Sequence, residues 1–317
     1  MRFLFLIVMM FACACQRVST QIEPCIESPR HEKEVMREKR NFMLKIEPSP
    51  FSPLTIEERE SDWGKEYEIG FCFAQDFDLY RAITSFKRAL ILLGESSPQR
   101  ALELRYYITL SYYLGGKYIE VVYMAEAGAF ATIDDSFVAY EDILLMLHDS
   151  YLHLGECDKA ARVLSQIQLF SIESADKIVF FSEVKRADFS TLFAHREKEA
   201  GALLRCYCSQ SKSVKKAQGL NMILPGAGYW YVGQKQTAVT AFLVNALFIG
   251  AAVNFFVHDH IAAGAIFLTL ETGWYFGGIT GAGLAAKSYN ERLYEGYAHK
   301  ICMKERLYPL LRLTYKF

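Results

Sequence analysis

The chain has almost no net charge: 35 lysines and arginines stand against 36 aspartates and glutamates across 317 residues. Without a global field nothing draws it onto a phosphate backbone, which argues against nucleic acid as a partner. The motifs of a catalyst are missing too. No nucleophile and base stand together in a recognisable motif, and there is no phosphate-binding loop or zinc signature, so neither an enzyme nor a bound cofactor is expected. The eight cysteines, at 13, 15, 25, 72, 157, 206, 208 and 302, have no metal-site spacing. Cys206 and Cys208 read as two separate thiols, because cysteines one residue apart rarely bond to each other.

Apolar residues are in excess. Hydrophobic residues make up 52% and aromatics 14% of the chain, above the usual share for a soluble domain, which implies that part of the surface faces lipid. At the N-terminus, Phe3 to Ala12 is an apolar run behind Arg2. It is shorter than the roughly 20 residues a spanning helix needs, so residues 1–14 read as an export signal rather than an anchor. Ala12 and Ala14 suit a signal peptidase. The same tetrad ending in Cys15 resembles a loose bacterial lipobox, with Cys15 as the lipidation candidate and Ala12 in place of the usual Leu. Both readings stay open, and both put the chain in a bacterial cell envelope. Residues 15–54 read as a flexible tether closed by Pro48, Pro50 and Pro53, with a short helix near His31 to Leu44.

From residue 55 to 208 apolar positions recur at helical spacing, which makes the class all-α. An internal repeat is present. Gly70 is followed by Phe73, Ala82, Phe86 and Ala89; then come Tyr112, Gly116, Val121 and Ala125; then Tyr151, Gly155, Ala160 and Leu164. Phe73 to Tyr112 is 39 residues, and so is Tyr112 to Tyr151. The pattern resembles the tetratricopeptide repeat, in which small residues let paired helices approach and aromatics fill the groove between pairs. The resemblance implies a helical-hairpin solenoid in which these residues pack rather than react. It also implies a concave face, made by the first helix of each pair, that takes a protein or peptide partner. Glu66, Arg105, Glu141 and His148 are expected to be exposed there. The period exceeds the usual ~34 residues, and Thr109 and His148 stand where Gly70 stands in the first repeat, so those pairs should splay. A fourth pair, Ala175 to Phe189 and Leu192 to Cys208, keeps the periodicity without the signature and is expected to cap the stack.

Residues 209–237 form a basic linker and a Pro-Gly aromatic turn. Pro225, Gly226 and Gly228 interrupt any helix, and Tyr229, Trp230 and Tyr231 suit the headgroup layer of a membrane. Pro225 to Gln234, including Tyr231 and Gly233, resembles a group of small bacterial membrane domains in which such a turn precedes a two-helix hairpin. The resemblance implies architecture and carries no chemistry. Ala238 to Val257 is uncharged and, as a helix, about 30 Å long, which matches the hydrocarbon thickness. His258-Asp259-His260 turns the chain and Ile261 to Ala286 returns, giving a transmembrane helical hairpin over 238–290 and a C-terminal tail over 291–317. The His-Asp-His tip has no fourth ligand nearby and reads as a solvated loop rather than a metal site.

On an insertion scale the first of these helices is worth about −3 to −7 kcal/mol and enters unaided. The second is worth about −2 to −5, and Glu271 at mid-membrane costs about +3, so it needs a partner. Asn245 lies at nearly the same depth. A hydrogen bond between Asn245 and Glu271 is therefore expected, against a rival reading of Glu271 as a proton or ion site. Gly273, Gly277, Gly281 and Ala285 form a small-residue stripe through which the helix would form a homo-oligomer.

Topology carries a conflict. Lys212, Lys215, Lys216, Lys235, Lys287 and Arg292 flank both ends of the hairpin, which places those ends inside, whereas an export signal places them outside. The signal acts first, and a long domain translocates largely regardless of charge, so the exported side is preferred for the repeats. The alternating Leu311, Leu313, Tyr315 and Phe317 resemble the closing strand of an outer-membrane barrel, but no series of strands precedes them. Two functions fit: a membrane-tethered adaptor whose repeats bind an envelope protein or peptide, and a small transport or membrane-protein-assembly component whose hairpin oligomerises under control of the repeats.

Overall fold

The computed structural model describes residues 18–26, 49–126, 130, 133, 135–315 and 317. The signal segment, Cys15 and the short helix expected near His31 to Leu44 lie outside them. Every regular element among the described residues is a helix. The chain divides into two compact units, and the pair expected to cap the repeats is split between them. The first holds the described residues up to Ser182 from 49 onward together with Cys302–Phe317; the second holds 18–26 and Glu183–Ile301.

In the first unit α1 (Ile56–Glu60), α2 (Asp62–Gln75), α3 (Leu79–Leu93), α4 (Pro98–Leu114), α5 (Tyr118–Glu126), α6 (Tyr140–His153) and α7 (Cys157–Phe170) follow one another, and from α2 on each packs against the next. Starts are written in the sequence. Thr55 and Glu58 form a capping box on α1, Ser61 and Asp78 cap α2 and α3, and Ser97 with Pro98 opens α4; each side-chain oxygen meets a backbone N–H that the helix itself leaves bare. Ends repeat with the period of the sequence. Three helix ends close with a bond from residue i+5 to the carbonyl of an aromatic: Asp78 to Phe73, Lys117 to Tyr112 and Glu156 to Tyr151, each 2.9 Å. The residue just before each of those donors, Phe77, Gly116 or Gly155, has φ of 64°, 69° or 78°. This is the Schellman stop, and it needs a left-handed residue that glycine supplies without strain.

The small residues of the repeat lie where the helices approach. Ala82, Phe86, Ala89 and Ala160 are buried, and a side chain on Gly70 would run into the ring of Phe86. Phe73 and Tyr112 are half-buried and Tyr151 is buried.

In the second unit, after α8 (Ile172–Arg186), which crosses the boundary, come α9 (Phe189–His195), α10 (Glu197–Gln210), α11 (Val214–Ile223), α12 (Ala227–Val232), α13 (Lys235–Val257) and α14 (Ile261–Lys304), which crosses it again after Ile301. The turn expected at Pro225 holds a short helix instead. Among the described residues α13 alone is long and apolar enough to cross a membrane, by length and composition. α14 lies beside it, with Phe267 packed against Phe248 and Phe255 at 6.0 and 5.3 Å between ring centroids. Residues 18–26, expected to be part of a flexible tether, are extended along α14 instead. The N–H of Glu23 and of Cys25 donate to Glu291 (3.1 Å) and Glu295 (2.8 Å), and Lys287 pairs with Glu23. Four helical residues advance about 6 Å and two extended residues about 6.6 Å, so the two carboxylates fall in step with Glu23 and Cys25. Ile22 and Ile26 are buried by it.

Gly155 has nothing near its missing side chain, so its role is conformational alone. Gly155→Ala is expected to cost about 1–2 kcal/mol, the penalty of a left-handed L-residue, and Gly155→Asn less. Thermal unfolding followed by circular dichroism in mild detergent checks both.

Candidate functional site

The first unit builds its polar core between α4 and α6. Tyr106 donates to Asp142 and Tyr113 to Asp149, both 2.9 Å, so two Tyr–Asp rungs two turns apart tie the helices together. Tyr67 donates to Glu103 at 2.6 Å in the same way between α2 and α4. Tyr67 and Tyr106 are 39 residues apart, as are Glu103 and Asp142, so one interaction recurs with the sequence period.

Two segments outside the long helices cover this surface. At one end Arg100 is the clamp: it donates to the carbonyls of Ser52 (2.7 Å) and Pro53 (3.1 Å) while ion-paired to Glu58 (2.8 Å) and Glu103 (2.7 Å). Tyr107 donates to Ser49 at 2.6 Å, and Phe51 packs on the rings of Tyr106, Tyr107 and Phe137. At the other end lies the C-terminal segment after α15 (Pro309–Arg312). The N–H of Thr314 donates to Oδ1 of Asp142 (2.8 Å) and that of Tyr315 to Oδ2 (3.1 Å). Leu313 and Phe317 are buried, and the Phe317 ring sits 5.9 Å from that of Tyr107.

Asp142 is 1% exposed, and burial pushes its carboxyl above the usual range against three hydrogen bonds that lower it. Burial pushes Asp149 up as well, but His153, Tyr113 and the charge of Arg312 hold it below the usual range. His148 is buried between these groups with no partner for Nδ1. Burial, reinforced by Arg312, lowers its pKa to about 4.

His148 therefore does not lie on an open face, as the sequence suggested. Glu66 and Glu141 are half-buried and engaged, by Arg88 and by Ser174, and Arg105 is half-buried. For His148 the physical reason is the cover, since the segment carrying Arg312 lies beside it; Glu66 and Glu141 are taken up by residues of α3 and α8.

In the second unit the turn residues hold α11 and α12 against α14. Gly226 (φ 93°) leaves no room for a side chain beside the carbonyl of Ala238, and Gly228 none beside that of Ala217. Gly233, at φ 94°, ends α12. Asn221, buried, accepts from the N–H of Gly226 at 2.8 Å. Asn290 exchanges two bonds with the backbone of Lys212, 2.7 and 2.8 Å. Tyr231 is half-buried under the ammonium groups of Lys212 and Lys216, each 5.1 Å from its ring, and Tyr229 lies over Gly281. Of the three aromatics only Trp230 is largely exposed.

No family model, curated protein or solved structure matches the chain.

Asn245 and Glu271 are both buried, at 4% and 5% exposure, on the facing sides of α13 and α14. The expected bond between them is not made. The amide of Asn245 donates to Ala241 in its own helix at 2.6 Å, and Asn245 Oδ1 and both oxygens of Glu271 have no partner among the described residues. Side chains tilt toward the N-terminus of their own helix. α13 runs toward the connecting turn and α14 away from it, so Asn245 leans away from the turn and Glu271 toward it, widening a depth difference of about 3 Å. The small-residue stripe is also divided. Gly281 is covered by Tyr229 and Ala285 packs beside Ala286, while Gly273 and Gly277 face open space. No group of three metal-ligating side chains occurs among the described residues, the His258 to His260 turn included.

Sequence reasoning missed Arg100, Asp142, Asn221, Asn290 and Arg312. The 39-residue recurrence of Tyr67 with Tyr106 and of Glu103 with Asp142 was available as a signal for the first two helices' polar rungs.

Between pH 6.5 and about 4 the unfolded chain takes up a proton at His148 that the folded chain refuses, so this group withdraws stability as pH falls through that window. The raised carboxyls of Asp142 and Glu103 act in the opposite sense, but they are common to wild type and His148→Gln. The melting temperature of wild type should fall relative to that of His148→Gln from pH 6.5 to 4 and hold constant below; a flat difference would show that the imidazole is not buried in its neutral form.

Proposed function

We propose that the chain is a membrane-anchored adaptor: α13 and α14 form a transmembrane hairpin, and the tetratricopeptide-like repeats of the first unit form a solenoid that binds a protein or peptide partner in a bacterial envelope. The observation that carries the membrane part is an inverted distribution of side chains. Phe242, Leu243, Leu247, Val253, Ile266 and Leu270 point outward and are exposed, whereas Asn245, Glu271, Ala238 and Gly264 are turned inward. Such a pair is soluble in hydrocarbon and not in water. The 39-residue recurrence of helix stops and Tyr–carboxylate rungs supports the solenoid.

Residues 18–26 bear on orientation. Val18 packs at the cluster of Val214, Ala217, Val232 and Ala286, at the end of the pair opposite its turn. A chain exported from its N-terminus would thus carry that end to the exported side with it, and the repeats are proposed to lie there. Exposed Cys206 and Cys208 offer the check: a membrane-impermeant maleimide should label them in intact cells, and a cysteine replacing Asp259 only after permeabilisation.

Open space at Gly273 and Gly277 favours a second reading, in which the hairpin oligomerises and the repeats regulate a transport or assembly activity. Mass measurement in mild detergent separates the two, a monomer favouring the adaptor and a multimer the rival.

Anchoring is tested by charge. An arginine at mid-span costs about 2.5–3.5 kcal/mol, so Leu243→Arg with Leu247→Arg removes about as much as α13 gains on insertion. Wild type should stay with membranes after carbonate washing and the double variant should be released. Retention of the double variant would sink the transmembrane reading, and co-purification from washed membranes of full-length chain with a stoichiometric partner is the matching test of the adaptor.

A further inference from the structure

Arg312 is a poor fit where it lies. Its Nε and Nη1 are shut off from solvent with no hydrogen-bond partner among the described residues, and the adjacent His148 Nδ1 has none either. An uncompensated buried donor costs about 1–3 kcal/mol, more when charged. Around it the same segment fits well, and by its main chain: both oxygens of Asp142 take backbone N–H groups, from Thr314 and Tyr315, groups that every residue except proline carries. Leu313, with φ −60° and ψ 137°, is extended. Phe317 fills a slot lined by Tyr107. A surface that reads backbone and an aromatic ring, with a misfit at a third position, has the character of a peptide site holding a replaceable occupant.

We propose that the face between α4 and α6 is a recognition site for a peptide carrying an aromatic residue, with an uncharged residue five places before it, and that the chain's own segment after α15 occupies the site until such a peptide displaces it. This deepens the adaptor reading and rests on its peptide-binding half. Asp142 accepts the two main-chain N–H groups and sets register. Tyr106, donating to the same carboxylate, holds it in place. Tyr107 takes the aromatic ring. Arg312 has the Phe181 ring 5.9 Å from its guanidinium and Asp149 as a counter-charge, but a residue without its two unpartnered donors leaves no buried N–H bare, and that is the advantage an incoming peptide holds.

The test uses full-length chain and a fluorescent nine-residue peptide with the sequence of 309–317. Thr314→Pro in the protein removes one N–H donated to Asp142, at a place where the preceding residue already has the conformation proline demands. By anisotropy this variant should bind the peptide at least tenfold more tightly than wild type. On the variant, an unlabelled peptide with glutamine in place of the Arg312 equivalent should compete better than the native sequence, and one with proline in place of the Thr314 equivalent at least tenfold worse. Binding no tighter than wild type overturns the proposal, as does equal competition by the proline peptide. Loss of the helical signal on Thr314→Pro would also overturn it, since the segment would then be ordinary core. Carbonate extraction does not involve this segment, and a partner recovered on another face of the repeats does not need it, so failure here leaves the adaptor reading standing.

Discussion

Asp142 is a carboxylate with no access to water, and the arrangement of the first unit follows from what that requires. Three hydrogen bonds meet there, one from Tyr106 of α4 and two from backbone N–H groups near the end of the chain, and the placement of α6 brings them together. Without them a buried carboxylate would cost several kcal/mol. The chain end is thus not an appendage. It completes a polar core that the helices leave incomplete, while Phe317 and Leu313 extend the apolar core on either side. Arg100 does the converse at the other edge, a buried cation meeting two carbonyls and two carboxylates.

The second unit meets the same demand with neutral amides. Asn221 and Asn290 satisfy backbone at the two ends of α11, where glycines at 226 and 228 allow the chain to approach so closely that no side chain fits. Its outward face is apolar and its inward face small or polar, the reverse of the first unit. Glu271, without a hydrogen-bond partner among the described residues, lies on that inner face.

What could be seen from the sequence was local and periodic. Helix class, the stops after Phe73, Tyr112 and Tyr151, and the buried positions at Ala82, Phe86 and Ala160 depend on residues a few places apart, so spacing reveals them. The inward placement of Asn245 and Glu271 follows from helical periodicity and was legible. Their missing bond was not, because rise per residue gives depth along an axis and omits the tilt of Cα–Cβ, which has opposite sense in antiparallel helices. Nor could the sequence place 18–26, 49–53, 313–315 and Phe317. An alternating segment such as Leu311 to Phe317 states that one face is buried and does not state against what. The exposure expected for His148 failed for that reason: it assumed a repeat surface with nothing on it.

Occupancy by the chain's own end changes how affinity at that surface must be understood. A segment tethered by a few residues competes at an effective concentration of the order of millimolar. If it fills the site 99% of the time, a ligand's apparent affinity is about a hundredfold weaker than its intrinsic one. A partner with the same contacts as the tail would therefore be excluded under ordinary conditions, and only one that improves on it would bind. The misfit of Arg312 supplies the room for improvement, because relieving one buried unpaired donor is worth about 1–3 kcal/mol, or roughly five- to 150-fold in binding. That margin is comparable to the penalty the tail imposes. Selectivity would then come less from the backbone contacts at Asp142, which many extended peptides satisfy, than from a single position at which the resident segment is the worse ligand.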